Sequence, residues 1–194
     1  MKSFINNGDS GTSFAVPTME SAWDFEEPDR NYTRAFSLRA KTADLSGDVV
    51  FIFGGTNDYG KGVALGDKNS TDPTTFFGAV RDTVETVLAR NPSAKIILAT
   101  PLQRELILDL EGMEKNKAGH TLEEYVNAIK SIGEKYNLLV LDLYHNGPVS
   151  IDNLDEKTGV LKYTYDGLHL NNEGGRATGQ VIGEFILEQL EIEL

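Results

Sequence analysis

The chain has no cysteine, which excludes a disulfide framework and any thiol chemistry. Histidine is scarce, with three in 194 residues, so imidazole chemistry has few candidates. Basic side chains are in deficit, 18 against 30 acidic, for a formal net charge of -12. That balance argues against nucleic acid or an anionic membrane as partner. No apolar stretch approaches the length of a membrane span. The first residues, MKSFINNGDSG, lack a long apolar run of the secretory type, so a cytoplasmic chain is expected. There is no Walker loop and no dinucleotide fingerprint; Gly54-Gly55-Thr56-Asn57-Asp58-Tyr59-Gly60 has neither spacing. No metal site stands out either. His120 and His145 fall in loops without ligand spacing, and Asp142, Asp152 and Asp155 read as ordinary loop carboxylates.

What is present is an ordinary globular composition, 40% hydrophobic, in a length that suits one domain. Lys2 to Asn6 reads as a short strand, Gly8 to Thr12 as a turn, and 18 to 33 as a long surface loop with Pro28. A short helix is expected over Tyr32 to Lys41. Val49 to Phe53 is a continuous apolar run, as in a strand buried on both faces. Residues 59 to 73 read as loop. Phe76, Phe77, Val80, Val84, Val87 and Leu88 recur at helical spacing, and Asn91-Pro92 ends that helix. Ile96 to Ala99 and Leu138 to Leu141 are two further buried strands. Residues 103 to 119 connect, with a short helix around Leu106 to Leu110. Between them Thr121 and Glu124 have capping-box spacing and open a helix to about Tyr136. Residues 144 to 165 read as loop. Asn171 or Asn172 caps a last helix with Ala177, Val181, Phe185, Ile186 and Leu190 on one stripe. Strand and helix alternate, which predicts an α/β fold with a mostly parallel sheet covered by helices on both faces.

In such a fold, sites gather beyond the carboxyl ends of the strands. Asn57 and Asp58 follow one strand, Gln103 and Arg104 the next, and Tyr144 and His145 the third. Asp166-Gly167-Leu168-His169 precedes the last helix. The three-residue spacing lets His169 act as a general base while Asp166 fixes its tautomer. A helix cap beside a surface histidine has the same spacing. Gly54 and Gly55 permit a sharp turn after a strand, from which the Asn57 amide can face a developing oxyanion. A strand-ending turn with Asn and Asp on the backbone is the simpler account. Ser10 can be a nucleophile with the Gly11 N–H as oxyanion donor, or Gly8 to Gly11 can be only a tight turn.

These segments together resemble the SGNH, or GDSL-type, hydrolase superfamily of esterases and lipases, and more closely a bacterial subgroup with GGTNDYG and DGLH segments. The resemblance runs from about Asn6 onward and includes Pro101 to Arg104 and Asp142 to Tyr144. It implies a flavodoxin-like three-layer α/β/α sandwich over a single domain, residues 1–194. It implies hydrolysis of an acyl or acetyl ester of a carbohydrate, lipid or small molecule, without a cofactor. By resemblance, Asn57 is the oxyanion asparagine, and Asp166 and His169 the paired aspartate and histidine.

The N-terminus departs from that pattern. Gly8-Asp9-Ser10 matches the family's nucleophile block by letters, but Asn6 to Thr12 looks more like its second block, which carries the oxyanion glycine. Gly11 then takes that role, and the chain is N-terminally incomplete relative to the family. Either the nucleophile block is absent, or the strand at Lys2 to Asn6 fills the vacant central place and Ser10 serves as provisional nucleophile. An incomplete sheet leaves an open edge, which invites a second copy of the chain. The alternative function is a binding or structural domain without turnover, keeping Asn57, Arg104 and His169. Trp23, Phe25, Tyr59 and Tyr144 are the candidates for stacking on a sugar or acyl chain, or for anchoring loops.

Overall fold

The computed structural model describes residues 4–18, 34–104 and 115–190. The elements in chain order are helix α1 (Phe36–Arg39), strand β1 (Val49–Phe53), helix α2 (Thr56–Lys61), helix α3 (Phe76–Arg90) and strand β2 (Lys95–Ala99). Helix α4 (Leu122–Lys135), strand β3 (Leu139–Leu141), helix α5 (Leu143–Asn146) and helix α6 (Asn172–Gln189) follow. The fold is α/β, with a mostly parallel central sheet flanked by helices, as the alternating pattern predicts. The chain clusters into two compact units, Met1–Ala99 with Glu114–Val140, and Thr100–Met113 with Leu141–Leu194.

In the first unit β1 and β2 pair in parallel, from Val49 opposite Lys95 to Phe53 opposite Ala99. The strand order is β1-β2-β3. Ile96, Ile97, Leu98 and Ala99 are all buried, as expected for a strand covered on both faces. β1 is different. Among the described residues it stands at the edge of the sheet, three of its residues are half-buried, and Phe53 is exposed. The expectation of burial is therefore corrected for β1, and for β3, where Leu139 and Val140 are also half-buried: an apolar run cannot report whether a neighbour strand exists. Helix α3 starts where the Thr75 hydroxyl accepts from Gly78 N and stops at Asn91. Helix α4 starts at the Thr121–Glu124 capping box, with both reciprocal bonds made. Their apolar stripes, Phe76, Ala79, Val80, Val84 and Val87 on one and Tyr125, Val126, Ile129 and Ile132 on the other, are buried together.

An aromatic cluster joins the N-terminal segment to this core. Phe14 packs on Phe36 at 4.6 Å and edge-on to Phe76 at 5.7 Å between ring centroids, and Phe76 meets Tyr125 at 4.9 Å. The strand expected at Lys2 to Asn6 is not found over its described part. Phe4 is 89% exposed, and the Asn6 side chain turns back onto Gly8 N. Two apolar residues followed by two asparagines bury too little to hold a strand in place.

Two glycines shape the exit from β1. A Cβ on Gly54 would lie 2.8 Å from the Phe14 ring, and Gly55 has φ of 105°, which disfavours any side chain. The chain then enters α2 at once. Residues 59–61, expected as the start of a loop, are helical, and Asn57 and Asp58 sit in the first turn of α2. In the second unit, α5 occupies part of the expected loop at 144 to 165. The rest holds two isolated antiparallel bridges, Leu154 with Leu161 and Thr164 with Leu170. Leu143, Val149 and Leu161 are buried. Asn171 caps α6 by accepting from Gly174 N at 2.9 Å. The α6 stripe is half-buried at Ala177, Val181, Phe185, Ile186 and Leu190, and only Gly174 and Thr178 are buried. The helix expected around Leu106 to Leu110, most of the 18 to 33 loop, and Trp23 and Phe25 lie outside the described residues.

Candidate active site

In the first unit, α2 holds the segment that contains Gly11. Three side chains on one face of this short helix reach it, at positions 57, 58 and 61. Asn57 Nδ2 donates to Thr12 O at 2.9 Å, and Lys61 Nζ donates to Gly11 O at 2.8 Å. Asp58 accepts from Phe14 N and Ala15 N, both at 3.0 Å. Asp58 is fully buried and Lys61 nearly so. Burial pushes the Asp58 carboxyl up to about 7, against the two backbone donors and the Lys61 charge, which favour the ionised form. Burial lowers the Lys61 ammonium, and Asp58 offsets part of that.

Gly11 and Asn57 are thus brought together through Lys61, Asn57 and the backbone of residues 11–12. One Asn57 amide hydrogen is committed to Thr12 O. Ser10 is exposed, and its Oγ makes no hydrogen bond among the described residues. Its carbonyl accepts from Arg34 Nη2 at 2.7 Å, while Arg34 also grips both Asp9 carboxylate oxygens. Composition alone could not single out Arg34, Asp58 or Lys61. The spacing of 57, 58 and 61 would have served as a signal only once a helix was placed there, and the glycines on either side hid it.

In the second unit, Asp166 and His169 form a tight pair. Asp166 Oδ2 lies 2.7 Å from His169 Nδ1, and Asp166 Oδ1 accepts from His169 N at 2.7 Å and Leu168 N at 3.0 Å. The His169 side-chain contact, then its backbone N–H, hold the Asp166 carboxyl down to about 2. The ring itself is 71% exposed. One nitrogen is therefore fixed by an ionised carboxylate, on a ring that is left mostly exposed. That arrangement can take up and return a proton.

The other two histidines are paired as well. His145 Nδ1 lies 2.9 Å from Asp142 Oδ2, and Asp142 Oδ1 accepts from His145 N at 3.2 Å. Asp142 is therefore the cap of α5 and a histidine partner, not an ordinary loop carboxylate. His120 Nδ1 lies 3.0 Å from Glu124 Oε1. A carboxylate–imidazole contact does not by itself single out His169. Gln103 donates to Tyr144 O and accepts from Ile151 N, tying the loop after β3 to that after β2. Tyr59 is buried edge-on to Tyr125 at 5.9 Å, so its place is in the core and not at a stacking surface. Among the described residues no group of three metal-ligating side chains occurs, and no helix is long and apolar enough to cross a membrane. A surface cavity of about 340 Å³ lined by Asp44, Leu45, Ser46, Arg90 and Asn91 includes none of the candidate residues.

The profile of the GDSL-like Lipase/Acylhydrolase family matches residues 6–177. One solved structure superposes with a TM-score of 0.72 at 27% identity, covering 90% of this chain and 74% of its own. A protein from Lactobacillus plantarum superposes with a TM-score of 0.69 at 25% identity, over 80% of this chain and 73% of its own. A possible lipase from Chitinophaga pinensis superposes with a TM-score of 0.61 at 27% identity, over 75% of this chain and 74% of its own. No curated protein sequence matches the chain.

Proposed function

The chain belongs to the GDSL-like Lipase/Acylhydrolase family, and from that membership we propose that it hydrolyses an acyl or acetyl ester of a carbohydrate, lipid or small molecule. The observation that carries this reading is the Asp166–His169 pair, with Nδ1 held at 2.7 Å on a ring that is mostly exposed. His169 is the general base and Asp166 fixes its tautomer. The Asn57 amide and the Gly11 N–H stabilise the oxyanion. Ser10 is the provisional nucleophile. Its Oγ adds to the ester carbonyl carbon while His169 takes the hydroxyl proton. The tetrahedral intermediate then collapses, the C–O bond to the alcohol breaks, and the alkoxide leaves with the proton from His169. Water repeats the sequence on the acyl-enzyme and restores the serine.

A binding domain without turnover is the second reading. It is favoured by Ser10, whose Oγ makes no hydrogen bond among the described residues and which no strand precedes over residues 4–9. In a third, β1 completes its sheet with a second copy of the chain, for which its place at the edge of the described sheet speaks. Light scattering on the purified protein separates a dimer from a monomer.

A fluorophosphonate probe followed by intact-protein mass, on wild type, Ser10→Ala and His169→Ala, tests the catalytic reading. The expected result is one adduct on wild type and none on Ser10→Ala. A folded wild type that neither labels nor releases p-nitrophenol from p-nitrophenyl acetate would leave the binding domain as the better account.

A further inference from the structure

Gly11 has φ of +75°, and a Cβ placed on it would meet nothing within 4 Å. Packing therefore does not demand a glycine here; the backbone conformation does. A glycine is also the residue least able to hold such a conformation unaided, because it visits many others at little cost. A turn over residues 10 and 11 contributes, and side chains from elsewhere in the chain add to it.

The two peptide planes flanking Gly11 are each pinned by a cation from elsewhere in the chain. Arg34 Nη2 holds Ser10 O at 2.7 Å, on the N-terminal side. Lys61 Nζ holds Gly11 O at 2.8 Å, on the C-terminal side. Both are charge-assisted bonds, stronger than neutral ones. A trans peptide is planar, with its N–H directed opposite to its C=O. Holding Ser10 O therefore aims the Gly11 N–H away from Arg34. Holding Gly11 O fixes the plane that follows and aims the Thr12 N–H away from Lys61. The next plane is pinned in the same way, by Asn57 on Thr12 O at 2.9 Å. The N–H groups of Gly11 and of buried Ser13 have no acceptor among the described residues, whereas residues 10 and 11 form a hydrogen-bonded turn. Buried N–H groups left open are rare in folded proteins. In each of the three planes the N–H lies opposite a carbonyl that is held by a side chain.

We propose that Lys61 and Arg34 are positioning residues, which lock the peptide planes on either side of Gly11 so that its N–H is fixed as an oxyanion donor before charge develops. The proposal rests on the ester-hydrolase reading for the use made of that donor, but the lock itself does not. Asp58 braces the same segment two residues further on, through Phe14 N and Ala15 N. Lys61 touches no reacting atom in this scheme. It acts through the Gly11 carbonyl.

The test uses the full chain with Lys61→Met, Arg34→Met and the charge-keeping Lys61→Arg, each shown to unfold cooperatively. With p-nitrophenyl acetate, Lys61→Met should lower kcat about 10- to 100-fold with KM within about 2-fold, less than the loss on deleting an oxyanion donor outright. Lys61→Arg should recover most of that. Equal kcat for wild type and folded Lys61→Met would overturn the positioning role. A merely structural role would lower the melting temperature without the split between kcat and KM. Absence of turnover in wild type would sink the hydrolase reading alone. The lock is then judged by amide exchange at Gly11 and Thr12, measured by NMR. Faster exchange in Lys61→Met and Arg34→Met supports it, and unchanged exchange overturns it.

Discussion

The segment at 11–15 and the turn at 164–171 are built in opposite ways. The first is held by side chains 43 to 50 residues away in sequence, on a helix that packs beside it. The second is held by its own neighbours: Thr164 Oγ1 accepts from Gly167 N, Asp166 from Leu168 N and His169 N, and Asn171 donates back to Thr164 O. The first is buried and its central carboxyl, Asp58, is pushed up. The second is buried at Thr164 and Gly167 but exposed at His169, and its carboxyl, Asp166, is held down. A local turn can form its geometry wherever its own few residues are ordered. A long-range clamp exists only when the core is assembled, so its disruption is paid in stability as well as in function.

The sharpest test of that contrast is His169→Ala. Turnover should fall at least about 10³-fold if the residue is the general base, while stability changes by less than about 0.5 kcal/mol, because the ring is mostly exposed. Ester assays and urea unfolding on one preparation read both. A large stability loss would mean that the turn is not as self-contained as its bonds indicate.

Asp58→Ala should show the reverse weighting. It leaves Phe14 N and Ala15 N without acceptors. Each such loss costs roughly 1–3 kcal/mol, so a total of about 2–6 kcal/mol is expected in chemical unfolding. A loss below about 1 kcal/mol would break the comparison, since it would make the clamp dispensable.

Smaller still is the loss of a helix cap, a contact made within four residues of the chain. Thr121→Ala removes one half of the α4 capping box, and Asn171→Ala removes the α6 cap. Each should cost about 1 kcal/mol, read as a shift in the thermal midpoint.

The two aspartates also predict opposite pH trends. The folded Asp58 carboxyl, near 7, lies above its ordinary value of 3.8. Its contribution to stability is complete below about pH 3.8 and is lost as pH rises through 7. The folded Asp166 carboxyl, near 2, lies below 3.8. Its contribution is present above pH 3.8 and is lost as pH falls through 2, weakened by solvent exposure. Urea midpoints of wild type, Asp58→Asn and Asp166→Asn across pH 2 to 8 resolve the two. Asp58→Asn should flatten the upper part of the wild-type curve, and Asp166→Asn the lower part. Identical curves for wild type and Asp58→Asn would remove the buried carboxyl from the argument.

Legibility in the sequence followed the range of the forces involved. The Thr121–Glu124 box, the stop at Asn91 and the cap at Asn171 are each decided within four residues, and all were readable. So was the Asp166–His169 spacing. The strand at Lys2 to Asn6 was misread over its described residues because propensity carries no information about a partner strand. β1 was located correctly, but its half-buried state depends on what pairs beside it. Asn57 and Asp58 were read as turn residues, because Gly54, Gly55, Gly60 and Gly62 disguise the short helix between them.

By itself, then, the sequence determined the order of the three strands and of helices α3, α4 and α6, the caps of α4 and α6, the carboxylate–histidine turn and the residues by which the family is recognised. Each of these depends on neighbours along the chain or on a local pattern of side chains. The tertiary structure alone decided that Asp58 and Lys61 are buried, that Asn57 and Lys61 close on the carbonyls of residues 11 and 12, and that Arg34 holds Ser10. Those contacts join parts of the chain brought near one another by burial of the Phe14, Phe36, Phe76 and Tyr125 cluster. Hydrophobic burial is non-directional and has no sequence spacing of its own, so the polar contacts it carries into place become visible only when the core is formed.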